Sequence, residues 1–430
     1  MKFGLLAALQ LPKPWKPDSE LRVWRDGLEQ MEIADRVGID YVWQVEHHFL
    51  EEYSHSSAAE TFLAAASQRT KRMRLGSGIT LLPPNYNHPA RVAERVAALD
   101  LVSEGRAEFG TGESSTFAEL DAFHVSRTEK RAMWRESLQT ICRMMVEEPF
   151  RGHIGKYFKM PPRNVIPKPI QKPHPPVWVA CSRQETIVMA GKLGLGVLTF
   201  GFLSPVDAQK WTADYYRSLT EDCQPIAYAV NPNVAFLSGF ACHKNGDFAR
   251  QIGTEGRQFF GHAFRHHYVD GVHRPAITDL WTDFKNTPPQ LLAPLDPNNE
   301  CMGTPDDIRK VLLNYEASGV DQVILIAQEG KITHEQICEG FELLGKSVVP
   351  EFKERDEKLS KQKAERLAPV IEQAMKRRMK PEIPDFGEEY LVRADGLKIK
   401  HFGWDPAYAD LLEQAKAQLA QQPAPAQSNK

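Results

Sequence analysis

The sequence contains no run of 18 apolar residues, which excludes an ordinary transmembrane helix. It contains no CxxC pair. Cys142, Cys181, Cys223, Cys242, Cys301 and Cys338 are widely scattered, which argues against a disulfide framework or a thiolate metal site. Reduced, mostly buried thiols in the cytoplasm are expected. The apolar stretch in MKFGLLAALQLPKPW is short and runs straight into proline and charge, so a cleaved signal peptide is not expected. Excess charge of either sign is also missing, since 53 Lys and Arg face 56 Asp and Glu, for a net charge of -3. That balance disfavours a dedicated nucleic-acid binder, which needs a basic surface. HExxH and GxGxxG are both absent.

What is present is a repeated grammar of strand and helix. Apolar runs at 3–9, 39–49, 73–81, 106–112, 176–180, 195–200, 228–238 and 320–327 read as strands. Helical spacing follows over 20–37, 58–70, 89–103, 128–147, 183–193, 205–222, 246–260, 305–317 and 333–347. Eight such units predict an α/β fold, a TIM-like (β/α)8 barrel over residues 1–350. Two stretches, near 150–175 and 262–300, lack periodicity and read as insertions. Residues 351–430 form a C-terminal extension. Its first part, 351–380, holds ten Lys or Arg against six Asp or Glu and reads as a solvated helix packing on the barrel or a partner. A hairpin around Asp395-Gly396, a helix over 406–420 and a disordered end complete it.

A barrel of this kind carries its chemistry on the loops after the strands. Glu46-His47-His48-Phe49 lies at the end of the second strand. One histidine could face the pocket as acid or base, because only His titrates near neutrality; the plainer reading is a hydrogen-bonded rim. His262, His266 and His267 form a second cluster. The spacing supports no metal site in either, and a solvated insertion is preferred for the second.

Cys181-Ser182-Arg183-Gln184-Glu185-Thr186 follows a strand and opens a helix, where free amides favour an anion. A capping box with Ser182 as cap and Glu185 three residues on is the plainer reading. Cys181 has no base beside it to make it a nucleophile. Gly76-Ser77-Gly78 and Gly110-Thr111-Gly112 are glycine-rich strand ends that admit a flat ligand or relieve crowding. Asn87 and His88 either reach the pocket or organise the turn before Pro89.

Four segments carry a resemblance to the bacterial luciferase-like, flavin-dependent monooxygenases: VEHHF at 45–49, LGSGITLLPPNYNHPARVAERVAALDLVSEGRAEFGTGES at 75–114, PPVWVACSRQETIVMAGKLGLGVL at 175–198 and GTPDDIRKVLLNYEASGVDQVIL at 303–325. The resemblance spans roughly residues 1–350. It implies a reduced-FMN-dependent monooxygenase that forms a flavin C4a-(hydro)peroxide and inserts one oxygen atom of O2 into a small apolar or aromatic substrate. FMNH2 would come from a separate flavin reductase, and the protein would be a homodimer.

By the same match His47 is the catalytic histidine. Cys181, Ser182, Arg183 and Thr186 lie on the loop that holds the flavin phosphate; Glu185 stands where luciferases offer Thr, and Thr186 is the substitute. Ser77, Thr111 and Gly112 belong to the strand ends that approach the isoalloxazine. Luciferases carry a reactive cysteine in this region. None occurs between residues 105 and 126, which argues against light emission. Phe117, Phe123, Phe259, Phe260, Phe264, Tyr268 and Trp281 are expected in a lid and substrate pocket, or in a lid core that touches no substrate. A deazaflavin-dependent dehydrogenase and a non-catalytic flavin-binding subunit are the alternatives.

Overall fold

Eight of the apolar segments become parallel strands that close on one another in the computed structural model of the chain. The structure describes residues 1–385 apart from Phe202 and Ala293, together with the helical positions Gln414 and Ala417. The barrel strands are β1 (Lys2–Ala7), β2 (Tyr41–Gln44), β3 (Arg74–Ser77), β4 (Ala107–Gly112), β5 (Val177–Cys181), β6 (Gly196–Thr199), β7 (Val234–Cys242) and β8 (Gln322–Ile326). Each pairs in parallel with the next, and β8 pairs with both β7 and β1, setting Lys2 opposite Gln322.

The helices are α1 (Ser19–Val37), α2 (Ala59–Arg69), α3 (Pro89–Val102), α4 (Phe117–Ala122), α5 (Lys130–Val146), α6 (Gln184–Leu193), α7 (Pro205–Asp222), α8 (Gly246–Arg265), α9 (Leu280–Asn286), α10 (Pro305–Ala317), α11 (His334–Ser347) and α12 (Val349–Lys376). Local chemistry sets their ends. Gly38 stops α1 with φ at 99° and its N–H on Ala34. Thr304 caps α10, accepting the Asp307 N–H, with Pro305 in the first turn. Among the described residues no helix is long and apolar enough to cross a membrane.

Alternation along the strands builds two apolar layers. Leu6, Trp43, Trp178, Leu198, Leu237 and Ile324 fill the barrel interior. Phe3, Leu5, Val42, Leu75 and Phe109 face outward and pack in the larger core shared with the helices. Buried indole N–H groups need acceptors. Trp43 donates to Gln322 at 2.8 Å and Trp178 to Glu108 at 2.6 Å, and Arg74 in turn pairs with Glu108.

Several boundaries differ from the sequence expectation. The strand expected over 39–49 stops at Gln44, where the loop beyond it folds back and His47 N–H bonds Ser56 O at 2.8 Å. The strand expected over 73–81 breaks after Ser77, and Thr80–Leu81 resumes beside Thr111 and Gly112. The seventh strand begins at Val234 rather than 228, because Asn231 is held by Gly194 O and Val177 O. Segment 150–175 carries a small antiparallel ladder, His153–Ile154 on Lys159–Met160. Segment 262–300 is more ordered than expected. Helix α8 runs through Arg265 into a π-helical turn, His266–Asp270, and α9 follows. A short strand, Cys301–Gly303, adds to the end of β7.

Helix α12 covers the N-terminal end of the barrel. Asp356 accepts from the Met1 amine and from Lys2, each at 2.8 Å, and Phe352 meets Phe3 edge-on. Lys363 reaches Asp321 and Asn233 at the starts of β8 and β7. The opposite, C-terminal rim is left to the site. The hairpin expected around Asp395-Gly396 and the disordered end lie outside the described residues, as does the helix expected over 406–420 apart from Gln414 and Ala417.

Candidate functional site

The EHHF segment lies beyond the end of β2, so strand alternation does not separate its two histidines. Each finds its own carboxylate. His47 Nδ1 is 3.2 Å from Glu119 Oε1, and His48 Nε2 is 3.2 Å from Glu46 Oε1. Glu46 also accepts from Leu81 N–H at 2.8 Å and Asn87 Nδ2 at 2.9 Å, tying the β2 loop to the loop before α3. Burial disfavours the charged form of His48, but the bond and charge of Glu46 outweigh it and raise the pKa.

Glu119 is the residue the sequence reading missed. It sits on α4, is 1% exposed, and accepts four hydrogen bonds. The His47 ring and the His48 amide bond Oε1, at 3.2 and 3.0 Å, and the Ser114 and Thr116 hydroxyls bond Oε2, each at 2.6 Å. Burial alone would raise its pKa; the donors led by His47 overcome this and bring it down to about 2. An ionised Glu119 requires a proton on His47 Nδ1, which leaves Nε2 as the nitrogen able to exchange a proton. The signal for this residue is Thr116-x-x-Glu119, a capping-box spacing.

An aromatic wall surrounds the pair. Tyr53 and Tyr268 lie 5.5 and 6.3 Å from the His47 ring. Phe123 packs on His48, Phe49 and Tyr86. The remaining expected pocket aromatics divide. Phe259 and Phe260 are buried in a lid core with Leu280 and Phe284, against which Trp281 packs. Phe264 stacks on Tyr268 at 4.4 Å. Phe117 is 63% exposed beneath Arg127. Asn87 and His88 act on the turn: Asn87 bonds Glu46 and Leu81 O, and His88 Nδ1 accepts from Ala90 N–H, capping α3.

The glycine-rich strand ends join β3 to β4. Ser77 Oγ donates to Gly110 O at 2.8 Å and accepts its N–H at 3.1 Å, so the hydroxyl is committed within the barrel. Thr111 Oγ1 donates to Trp178 O at 2.8 Å and accepts from Trp134 Nε1 at 3.1 Å, which turns it toward α5. Both hydroxyls are therefore spent within the barrel. A Cβ on Gly112 would stand 1.8 Å from Ile79 Cδ1. Ile79 and Phe200 line the upper interior with Ala8 and Val45.

At the end of β5, Cys181 is fully buried, and burial lifts its thiol to about 12. Ser182 and Arg183 are exposed. The cap of α6 falls on Arg183, one residue later than expected. Arg183 N–H bonds Thr186 Oγ1 at 3.3 Å, and that hydroxyl donates to Arg183 O at 2.6 Å. The Ser182 hydroxyl is thereby released from the capping role, beside helix amides that have no intrahelical partner.

Cations gather at the same helix end. Arg131 bonds Glu113 at 2.6 Å, and Lys130 Nζ lies 3.9 Å from that carboxylate. Burial lowers the Lys130 pKa, and Arg131, Arg127 and Arg183 lower it further. Lys130 and Arg131 flank the Glu113 carboxylate, Arg127 and Arg183 act on Lys130, and beside the α6 N-terminus and the exposed Ser182 hydroxyl this positive potential can cradle an anion of phosphate size.

A buried acid stands on the far side of the rim. Glu329 follows β8, is 1% exposed, and neither carboxylate oxygen has a hydrogen-bond partner among the described residues. Burial raises its pKa to about 8 against the pull of Arg257, 3.8 Å away.

The luciferase-like monooxygenase family profile matches residues 1–322. The oxygenase component of a flavin-dependent trigonelline monooxygenase from Acinetobacter baylyi is 24% identical over 82% of this chain and 96% of its own length. The monooxygenase RslO1 of Streptomyces bottropensis superposes with a TM-score of 0.68 at 25% identity, covering 82% of this chain and 100% of its own. A coenzyme F420-dependent tetrahydromethanopterin reductase from Methanopyrus kandleri shares the fold, with a TM-score of 0.59 at 22% identity over 82% of this chain and 99% of its own. Three further curated relatives, 30–31% identical, are spanned over only 49–60% of their own length. The chain belongs to the luciferase-like monooxygenase family.

Proposed function

We propose that the protein is a reduced-FMN-dependent monooxygenase that transfers one oxygen atom of O2 to a small apolar or aromatic organic substrate. A separate flavin reductase supplies the reduced FMN. The observation that carries the proposal is the His47–Glu119 pair at the barrel rim, which shares the rim with the anion cradle at α6.

The residues fit the cofactor. Ser182, Arg183 and the first amides of α6 would hold its phosphate, with Lys130 and Arg131 adding positive potential. Thr186 supports that loop through Arg183 rather than through the ligand. The Gly110–Gly112 backbone and Ile79 would flank the ring system, with Ser77 and Thr111 fixing the strand ends. Reduced flavin, once bound, activates O2 for transfer of one oxygen atom.

The chain's own part is orientation, shielding and proton control. Glu119 holds the His47 Nδ1 proton, so His47 Nε2 can accept a proton from the reacting centre and return it. Tyr53, Tyr268 and Phe123 exclude water around it. A homodimer packed through α2 and α3 belongs to the same proposal, since both helices carry small residues that allow close approach.

A deazaflavin-dependent hydride transfer is the second reading, because the barrel alone does not choose the cofactor: the F420-dependent reductase shares it. Oxygen uptake with reduced FMN across a panel of apolar and aromatic substrates tests the proposal. Substrate-dependent uptake above free-flavin autoxidation is expected. Uptake no faster than autoxidation, with turnover of a deazaflavin instead, would overturn it.

A further inference from the structure

A cluster outside the His47 site is built from residues the sequence reading only half assembled. His262 does not join His266 and His267. Its Nε2 bonds Asp283 at 3.1 Å. The third member is His273, from beyond the π-helical turn. One nitrogen from each of His266, His267 and His273 lies within 4.8 Å of the others. The three rings are mutually 5.0–5.4 Å apart. Adjacent residues on an α-helix diverge; here the pair occupies the π-helical turn His266–Asp270, a distortion common at functional positions.

The second nitrogen of His267 is held from outside the cluster, as ligand histidines are in metal sites. His267 Nε2–H donates to Glu51 O at 3.0 Å, which leaves the Nδ1 lone pair available. His273 Nε2 is buried without a hydrogen-bond partner among the described residues, 3.7 Å from Glu51 Oε1. His273 Nδ1 and His266 Nε2 are 3.3 Å apart. Two nitrogens at zinc-ligand distance on a tetrahedral ion stand about 3.3 Å apart.

We infer that His266, His267 and His273 bind one divalent transition-metal ion of the zinc type, with the Glu51 carbonyl orienting His267 and water as the fourth donor. Asp270 is engaged by Arg265 and does not compete. The ion joins the 51–53 loop to the 266–276 segment. Tyr53 and Tyr268, from these two pieces, form the wall beside His47. Its role is to pin that wall.

The test uses full-length protein without a histidine tag, stripped by chelator and loaded with zinc or cobalt(II). The wild type is expected to retain about one zinc per chain after gel filtration, and cobalt is expected to give the visible absorption of a four-coordinate site. His266→Ala and His273→Ala should lose both signals, while His262→Ala should keep them. No retained metal in the wild type would overturn the inference. So would equal retention in His273→Ala.

Discussion

Replacing Glu119 by Gln isolates the charge that governs His47. The native carboxyl lies at about 2 instead of the ordinary 4.5, which corresponds to about 3 kcal/mol of preference for the ionised form. Four donors share that preference: His47, the His48 amide, Ser114 and Thr116. One charge-assisted bond accounts for ~1.5–3 kcal/mol, so His47 holds a large part of it.

In the variant the amide oxygen can still accept the His48 N–H, and the two hydroxyls can turn to accept from the new NH2. The neutral bonds survive and the charge does not. Folding stability at pH 7 is expected to fall by ~1–3 kcal/mol. The sign follows from a depressed carboxyl: the stabilisation is complete above the unfolded value of 4.5 and fades as pH falls toward about 2. The wild-type advantage should therefore be flat from pH 8 to 5 and shrink below that, read by denaturant titration at each pH. The proton-dependent phase of reduced-FMN reoxidation on the protein, read by stopped-flow absorbance, should slow about 10–100-fold, matching the lost bond. A variant equal to wild type in both the stability profile and the reoxidation rate would refute the assignment of His47 and Glu119 as one unit.

Other consequences lie elsewhere in the fold. Gly110→Ala places a Cβ 1.9 Å from Ser77 O, so it should cost ~3 kcal/mol or more, read as a lowered denaturation midpoint; an unchanged midpoint counts against the barrel register. Asp356→Ala leaves the Met1 amine and Lys2 without their shared carboxylate, and should lose ~2–3 kcal/mol at pH 7. That gap should narrow as pH falls through the acidic range, because the native pKa of Asp356 is lowered. Glu329→Gln should stabilise the protein at neutral pH. The native carboxyl is raised to about 8, so its burden on stability grows as pH climbs from 4.5 toward 8 and is absent below 4.5; a variant less stable than wild type at pH 7.5 contradicts this.

The periodicities made the barrel legible because each unit is local. β1, β4, β5, β6, β8 and the early helices fall within a few residues of where alternation and 3.6-residue spacing put them. The misses are long-range. The strand expected to carry EHHF ends at Gln44 because Ser56, from the returning loop, takes over its hydrogen bonds. The seventh strand starts late because Asn231 is claimed by Gly194 and Val177. His47 was visible as a rim histidine. Its partner Glu119 is 72 residues away on a six-residue helix, and only the Thr116 spacing hinted at it. Ser77 and Thr111 were recognisable as strand-end residues, but not as side chains spent on Gly110, Trp178 and Trp134. The role of α12 likewise depended on where Asp356 and Lys363 meet the barrel's underside, which composition does not encode.

The most direct test of the account is an anaerobic titration of the protein with reduced FMN and, separately, with a reduced deazaflavin, repeated with Ser182→Ala. Saturable binding of about one reduced FMN per chain, weaker in the variant by about tenfold for a lost phosphate hydrogen bond, is the predicted result. Absence of saturable FMN binding, or tighter binding of the deazaflavin, would contradict it.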